Sequence, residues 1–314
     1  MRTSVLRGIA GALLVFCGCA RALTIVPTYD SSITSLSNAA QIESAFAYAA
    51  SQFENDFSNP ITLNIDVTAV AGTSILGQSS FSLVPSSYRQ VRVALSNHVS
   101  SADDQSAVNS LPSTNPTNGG TFSMTSSEEK ALGLFSPNNP SSDGTFTFGL
   151  GFNYTFDPNH RAISGEYDFI GIAEHEISEL MGRVYGLNQN GGGYVPLDLF
   201  RYTGTGVRSF SISATGVYFS INGGTTDLKA FNSDPSGDFQ DWAGGATADA
   251  FDAFASPGEM AVLSSTDLRT LDIIGYTPVT AVPEPPGAIL LLVGLGVGSL
   301  RYARKLWRAS RHGS

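Results

Sequence analysis

His175 and Glu179 stand four residues apart, with Glu176 between them, in the stretch YDFIGIAEHEISELMGRV at residues 167–184. On a helix this spacing puts an imidazole and a carboxylate one turn apart on a single face. A nitrogen and an oxygen donor arranged in this way suit a divalent metal, and zinc accepts both. Glu176 stands where it can act as general base on a water held by such an ion. Gly182 shares the His175 face. Glycine costs about 1 kcal/mol relative to alanine in a helix interior, so a close approach by another group is expected there. The opposite stripe, Ala173, Ile177, Leu180 and Val184, is apolar and supplies the buried side. The plain alternative is a solvated face on a surface helix.

The elements that must position this helix are readable in part. At residues 145–156, Phe146, Phe148, Leu150, Phe152, Tyr154 and Phe156 alternate with Thr, Gly or Asn, which predicts one long strand just before the helix. Gly149 and Gly151 suit a bulge, or an edge approached by another stretch of chain. Earlier, residues 23–27 read as a short strand. Asn38 precedes a helix with Ile42, Phe46, Ala49, Ala50 and Phe53 at helical spacing, and Ile61, Leu63, Ile65 and Val67 alternate as a half-buried strand. A strand, helix and strand in this order suit an α+β lobe. Residues 87–99 and 102–111 read as short helices and 112–125 as a loop. Ser126 to Glu129 offer a cap and an acidic first turn for a brief helix ending near Gly133.

Beyond the helix, residues 186–193 form a Gly/Asn loop, and residues 217–221 read as a strand closed by a turn at Asn222, Gly223 and Gly224. Ser264 or Ser265 caps a last helix through Leu268, Leu271 and Ile274, with Gly275 as its stop. Asp234, Asp238 and Asp241 lie in a glycine-containing loop at a spacing that can hold calcium, though the pattern is no EF-hand and a solvated loop is the plainer reading. His98 reads as structural, and His160 reaches a metal only if its turn folds back.

The chain's 314 residues are 42% hydrophobic and only 14% charged, ample for a sizeable core. Arg2 and Arg7 precede an apolar run, and Ala20-Arg21-Ala22 matches a small-x-small cleavage site, so residues 1–22 read as a signal peptide. Both cysteines, Cys17 and Cys19, fall inside it, which leaves no disulfide and no thiol ligand in the mature chain. Without both terminal segments, nine basic and 26 acidic residues remain, a charge near −17. Nucleic acid is an unsuitable partner for such a surface.

Residues 281–314 hold Val282-Pro283-Glu284-Pro285, an apolar stretch at 288–300 and a tail rich in arginine. Thirteen apolar residues fall short of the ~20 that span a bilayer comfortably, while the basic flank fits the cytoplasmic side of an anchor. The three parts together closely resemble the PEP-CTERM sorting signal. That resemblance implies transient membrane anchoring, processing by an exosortase, and delivery to the cell surface or an exopolysaccharide matrix.

The stretch HEISELMGR resembles the HExxH helix of zincin metallopeptidases. With PLDLFRY at residues 196–202 it is similar to a family of exported bacterial metalloproteases in which a DLFRY segment follows the active helix. Glu179 stands where the second histidine of the general pattern would be. The resemblance implies an α+β, two-lobed zincin-like fold, with an N-terminal lobe at 23–165 and the active-site helix and C-terminal lobe at 166–280. It further implies that the 145–156 strand lines the cleft, while a core strand is the other reading of that segment. Zinc, or another divalent ion, would sit on His175, Glu179 and Asp198. Glu176 would be the base, Tyr202 would stabilise an oxyanion, Arg201 would bind a substrate carboxylate, and the substrate would be a protein or peptide. Two carboxylates among the ligands imply weaker zinc affinity, or tolerance of another ion. Two other functions fit the same features: a non-catalytic surface or matrix-binding protein on this fold, and a structural matrix protein in which HExxE is accidental.

Overall fold

Hydrophobic alternation and helical spacing place the first elements close to their expected positions. The computed structural model describes residues 22–279, so the expected sorting segment and all but Ala22 of the expected signal peptide lie outside the described residues. The chain opens with β1 (Thr24–Tyr29), one helical turn α1 (Ser31–Thr34), α2 (Ala39–Asp56) and β2 (Thr62–Val70). Next come β3 (Gly77–Ser80), β4 (Leu83–Ser86), α3 (Tyr88–Asn97), α4 (Ala102–Ser110), β5 (Phe122–Thr125) and α5 (Ser126–Ala131). The central portion is β6 (Gly144–Gly149), β7 (Tyr154–Thr155), β8 (Tyr167–Asp168) and α6 (Phe169–Leu180). Four short strands, β9 (Arg201–Gly204), β10 (Val207–Arg208), β11 (Tyr218–Phe219) and β12 (Lys229–Ala230), precede α7 (Ser265–Asp272). The class is α+β, as expected. Among the described residues no helix is long and apolar enough to cross a membrane.

One sheet runs β1-β2-β6-β3, with β1, β2 and β6 parallel and β3 antiparallel at the edge. Leu63, Ile65 and Val67 of β2 are buried, as their alternation requires. Phe146 and Phe148 of β6 meet Phe46 of α2 and Phe169 of α6 at ring separations of 5.0–5.9 Å, which locks both helices to the sheet. A second sheet, β10-β9-β11-β12, is antiparallel.

The expected long strand at 145–156 is broken. β6 ends at Gly149, the chain turns, and only Tyr154 and Thr155 pair again, with β8. The glycines supply the reason. A Cβ on Gly149 would meet the Ile75 carbonyl oxygen at 2.2 Å, and one on Gly151 would meet Gly72 at 2.7 Å. Leu150 and Gly151 donate backbone hydrogen bonds to Val70 and Gly72, so the chain's own loop makes the close approach. β6 has neighbours on both sides, whereas β3 forms the edge of the sheet. A second departure lies in the loop expected at 112–125, where β5 pairs antiparallel with β4.

Helix α6 is buried almost all round. Ala173, Ile177 and Leu180 pack inward as their spacing predicts and Val184 is buried beyond the helix end, yet Glu174, Glu176, Ser178 and Glu179 are also buried. The helix stops at Leu180, so Gly182 lies beyond it, at φ +111°. A Cβ there would meet Glu128 at 3.0 Å, which identifies the close approach expected at this glycine.

The end of the compact body is latched to the loop after α2. Asn59 donates to the Gly275 carbonyl (2.9 Å) and accepts from the Thr277 N–H (2.7 Å), and Ser58 N–H donates to the Thr277 carbonyl (2.8 Å). His98, structural as expected, joins through Nε2 and the Thr277 hydroxyl at 3.1 Å.

Asp272 on α7 accepts from the Ser101 hydroxyl at 2.7 Å, and its other oxygen is buried without a partner. Burial and the nearby Asp104 and Asp103 outweigh that bond and push its carboxyl up to about 7. The folded chain therefore holds a proton that the unfolded chain has released above pH ~4, and stability contributed here falls as pH rises from there through about 7. Asp272→Asn is expected to flatten the dependence of Tm on pH across that window. An unchanged slope in thermal melts from pH 4 to 8 would count against this account.

Candidate metal centre

The N-terminal end of α6 is held by charge. Arg161 Nε lies 3.0 Å from both oxygens of Asp168, and its Nη2 reaches Glu174 at 3.1 Å and the Ala261 carbonyl at 2.5 Å. All three charged residues are buried. Burial pushes Glu174 up to about 7 against the pull of Arg161. This cluster fastens the segment around Ala261 to the start of the helix. It also explains Gly171, whose Cβ would strike Ala261 at 2.8 Å.

One turn further on, His175 turns toward Asp241 as well as toward Glu179. Its Nε2 lies 3.3 Å from Glu179 Oε1 and 3.5 Å from Asp241 Oδ1, and one donor atom from each residue falls within a common 4.8 Å. His175 Nδ1 is 2.9 Å from the Ala250 carbonyl oxygen. A carbonyl only accepts, so Nδ1 carries a hydrogen, and Nε2 is the ring nitrogen that faces the two carboxylates. Burial works against charge on the imidazole, but Asp241 and then Glu179 override it, and its pKa is pushed up to about 10. A position that draws a proton so strongly would draw a divalent cation for the same reason.

The carboxylates are held in turn. Glu179 accepts from Ser79 Oγ on β3 and from Gln240 Nε2, each at 2.5 Å. Despite burial, the hydrogen bond and charge of His175, with Arg183, hold Glu179 down to about 2. Asp241 accepts from Arg183 Nη1 at 2.5 Å. Arg183 is itself fully buried, with its guanidinium 4.2 Å from the Phe251 ring centre and its Nε donating to Ser178 Oγ at 2.7 Å. Such outer hydrogen bonds are what orient ligands in a metal site. The donor set, one neutral-capable nitrogen and two carboxylate oxygens, fits zinc or a similar ion.

The triad opens into a cleft of about 430 Å³ walled by residues 74–79 of and before β3, the His175 side of α6, and the loops at 236–241 and 248–261. Glu176 lines it, and its carboxylate lies so close to β3 that a Cβ on Gly77 would meet Oε1 at 2.6 Å. Burial, then the charge of Glu179, pushes Glu176 well above the ordinary carboxylate range. A cation at the triad would act in the opposite direction.

His175, Glu176 and Glu179 thus come together as expected, while three other expected site residues lie elsewhere. Asp198 does not join the triad, and Asp241 takes the third place. Asp198 Oδ2 instead accepts the backbone N–H groups of Gly186, Leu187 and Val195 at 2.9–3.1 Å, fastening a loop that carries left-handed Leu187 and Asn188. Arg201 is buried over the Phe231 ring and donates to the Phe239 carbonyl, two residues before Asp241. It positions the loop carrying the third donor and does not face the cleft. Tyr202 is fully buried in the second sheet, opposite Tyr218 and 4.9 Å from the Arg208 guanidinium, and does not line the cleft. Within the DLFRY segment it is Arg201 that reaches the loop leading to Asp241. The cleft-lining strand is β3, and not the 145–156 segment. Of the three aspartates spaced for calcium, Asp241 joins the triad and Asp238 lines the cleft, while Asp234 caps its own turn at Ser236. His160 pairs with Asp157 on the surface.

Ser79, Gln240, Arg183 and the place of Asp241 beside His175 and Glu179 were missed from sequence. Asp241 stood out only through the spacing of its aspartates, which suggested another ion. The chain matches no family model, no curated protein and no solved structure.

Proposed function

We propose that the chain is a metal-dependent endopeptidase, with zinc or a similar divalent ion held by His175, Glu179 and Asp241, on a two-lobed zincin-like arrangement. The observation that carries this reading is the meeting of that triad with an unpartnered Glu176 beneath an edge strand, inside one cleft. A divalent ion held there would supply Lewis acidity, polarising a carbonyl and lowering the pKa of water. Glu176 takes the proton from the attacking water and later delivers it to the nitrogen of the leaving amine. β3 offers a free strand edge along which an extended substrate backbone can lie. His175 is oriented by Ala250, Glu179 by Ser79 and Gln240, and Asp241 by Arg183, so the donor atoms are arranged before any ligand arrives. Export through an amino-terminal signal and processing at a PEP-CTERM segment belong to the same proposal.

Glu176→Gln separates catalysis from binding. It is expected to keep about one divalent ion per chain while lowering peptide hydrolysis at least 100-fold, the range typical of a lost general base. Metal content by mass spectrometry beside a fluorogenic peptide assay provides the check. Full activity in this variant would overturn the role of Glu176. An intact wild-type chain that retained no ion after refilling would favour a matrix-binding protein on the same fold.

A further inference from the structure

Three carboxylates on the cleft wall have no cationic partner among the described residues. Asp168, Asp241 and Asp249 are neutralised by Arg161, Arg183 and Lys229. Asp238 and Glu259 are exposed and Asp252 is half-buried, and among the described residues no lysine or arginine lines the cleft. Asp252 Oδ2 accepts the Asp249 N–H at 3.0 Å, whereas its Oδ1 is buried without any hydrogen bond. Glu176, only 6% exposed, is likewise turned into the cleft with no hydrogen-bond partner among the described residues.

The three are spread along the cleft. Asp238 lies by Gln240 and Asp241, toward the C-terminal end of α6. Glu259 lies two residues from Ala261, which is fastened at the helix start. Asp252 lies two residues after the carbonyl that holds His175. Phe254, 54% exposed, presents an aromatic ring on the same wall. A ring beside free carboxylates accommodates the apolar stem and charged head of lysine or arginine.

We propose that this cleft selects polypeptide segments carrying lysine or arginine side chains close to the bond presented at the metal centre. The inference rests on the endopeptidase reading and names its substrate class. Uncompensated carboxylates on both sides of the centre attract cationic side chains and repel acidic ones, which also raises encounter rates at low salt.

The test uses three fluorescent peptides of one length and backbone sequence, with arginine, glutamine or glutamate at the variable positions. Binding to the full Glu176→Gln chain is read by anisotropy at low and high salt, and hydrolysis by the metal-loaded wild type is read in parallel. The arginine peptide is expected to bind about tenfold more tightly than the glutamine one, each partly exposed charge contributing a factor of two to three. That advantage should shrink with salt. The double variant Asp252→Asn, Glu259→Gln should lose most of it while binding the glutamine peptide as before, and the salt series on the unsubstituted cleft carries the test if that variant fails to fold. Equal binding of all three peptides, or cleavage of all three at one kcat/KM, would overturn the selection and leave the peptidase reading standing. Selective binding of the arginine peptide without any cleavage would support the selection and remove the peptidase reading.

Discussion

Asp241→Asn is expected to strip the chain of its divalent ion while leaving it folded. Asparagine keeps an oxygen that can accept from Arg183, so the buried guanidinium retains a partner, but the anionic donor is lost. Removing outer groups around a metal site costs 10- to 100-fold in affinity, and loss of a ligand should exceed roughly 100-fold. Asp198→Asn is the informative companion. Its carboxylate binds three backbone N–H groups 2.9–3.1 Å away and is no part of the triad. That variant should keep the ion and lose thermal stability instead. Metal content and Tm measured on both variants give opposite patterns if the third donor is Asp241. An ion retained by Asp241→Asn and lost by Asp198→Asn would reverse the assignment.

Arg183→Met is expected to produce the largest loss of stability. The guanidinium is fully buried, bonded to Asp241 and Ser178 and stacked on Phe251. Its removal leaves Asp241 and Glu179 buried with no permanent positive charge beside them. Breaking a buried pair on one side typically costs about 3–5 kcal/mol. For a body of this size that corresponds to a fall in Tm of about 10 °C. A divalent ion in the triad supplies part of the missing charge, so the fall should be larger with a chelator than with zinc. Arg183→Lys should rescue little, because an ammonium cannot bond Asp241 and Ser178 together while stacking flat on a ring. Melting curves with and without chelator that coincide would refute this account.

The helix and its two donors were legible because both lie within one turn, where spacing alone fixes geometry. β2 and α7 were legible for related reasons: clean alternation in the first, a capping serine followed by an apolar period in the second. Asp241 was not, since it reaches His175 across a separation that only tertiary packing closes. Asp198 misled because a carboxylate that satisfies three backbone N–H groups and one that awaits a cation are the same letter in a sequence. The 145–156 segment misled through its even apolar period, which continues unbroken past two glycines at which the backbone turns under a neighbouring loop. The buried acidic side of α6 misled too. Helical spacing separates two faces, but it does not reveal that β3 and the 240–241 loop cover the polar one.

The latch at residues 58–59 and 275–277 sets how the folded body would respond to a pull on the segment that follows. Tension arriving at Pro278 meets the Ser58 and Asn59 hydrogen bonds and the Phe57–Pro278 bridge. A pull from that end would therefore load this short fastening first.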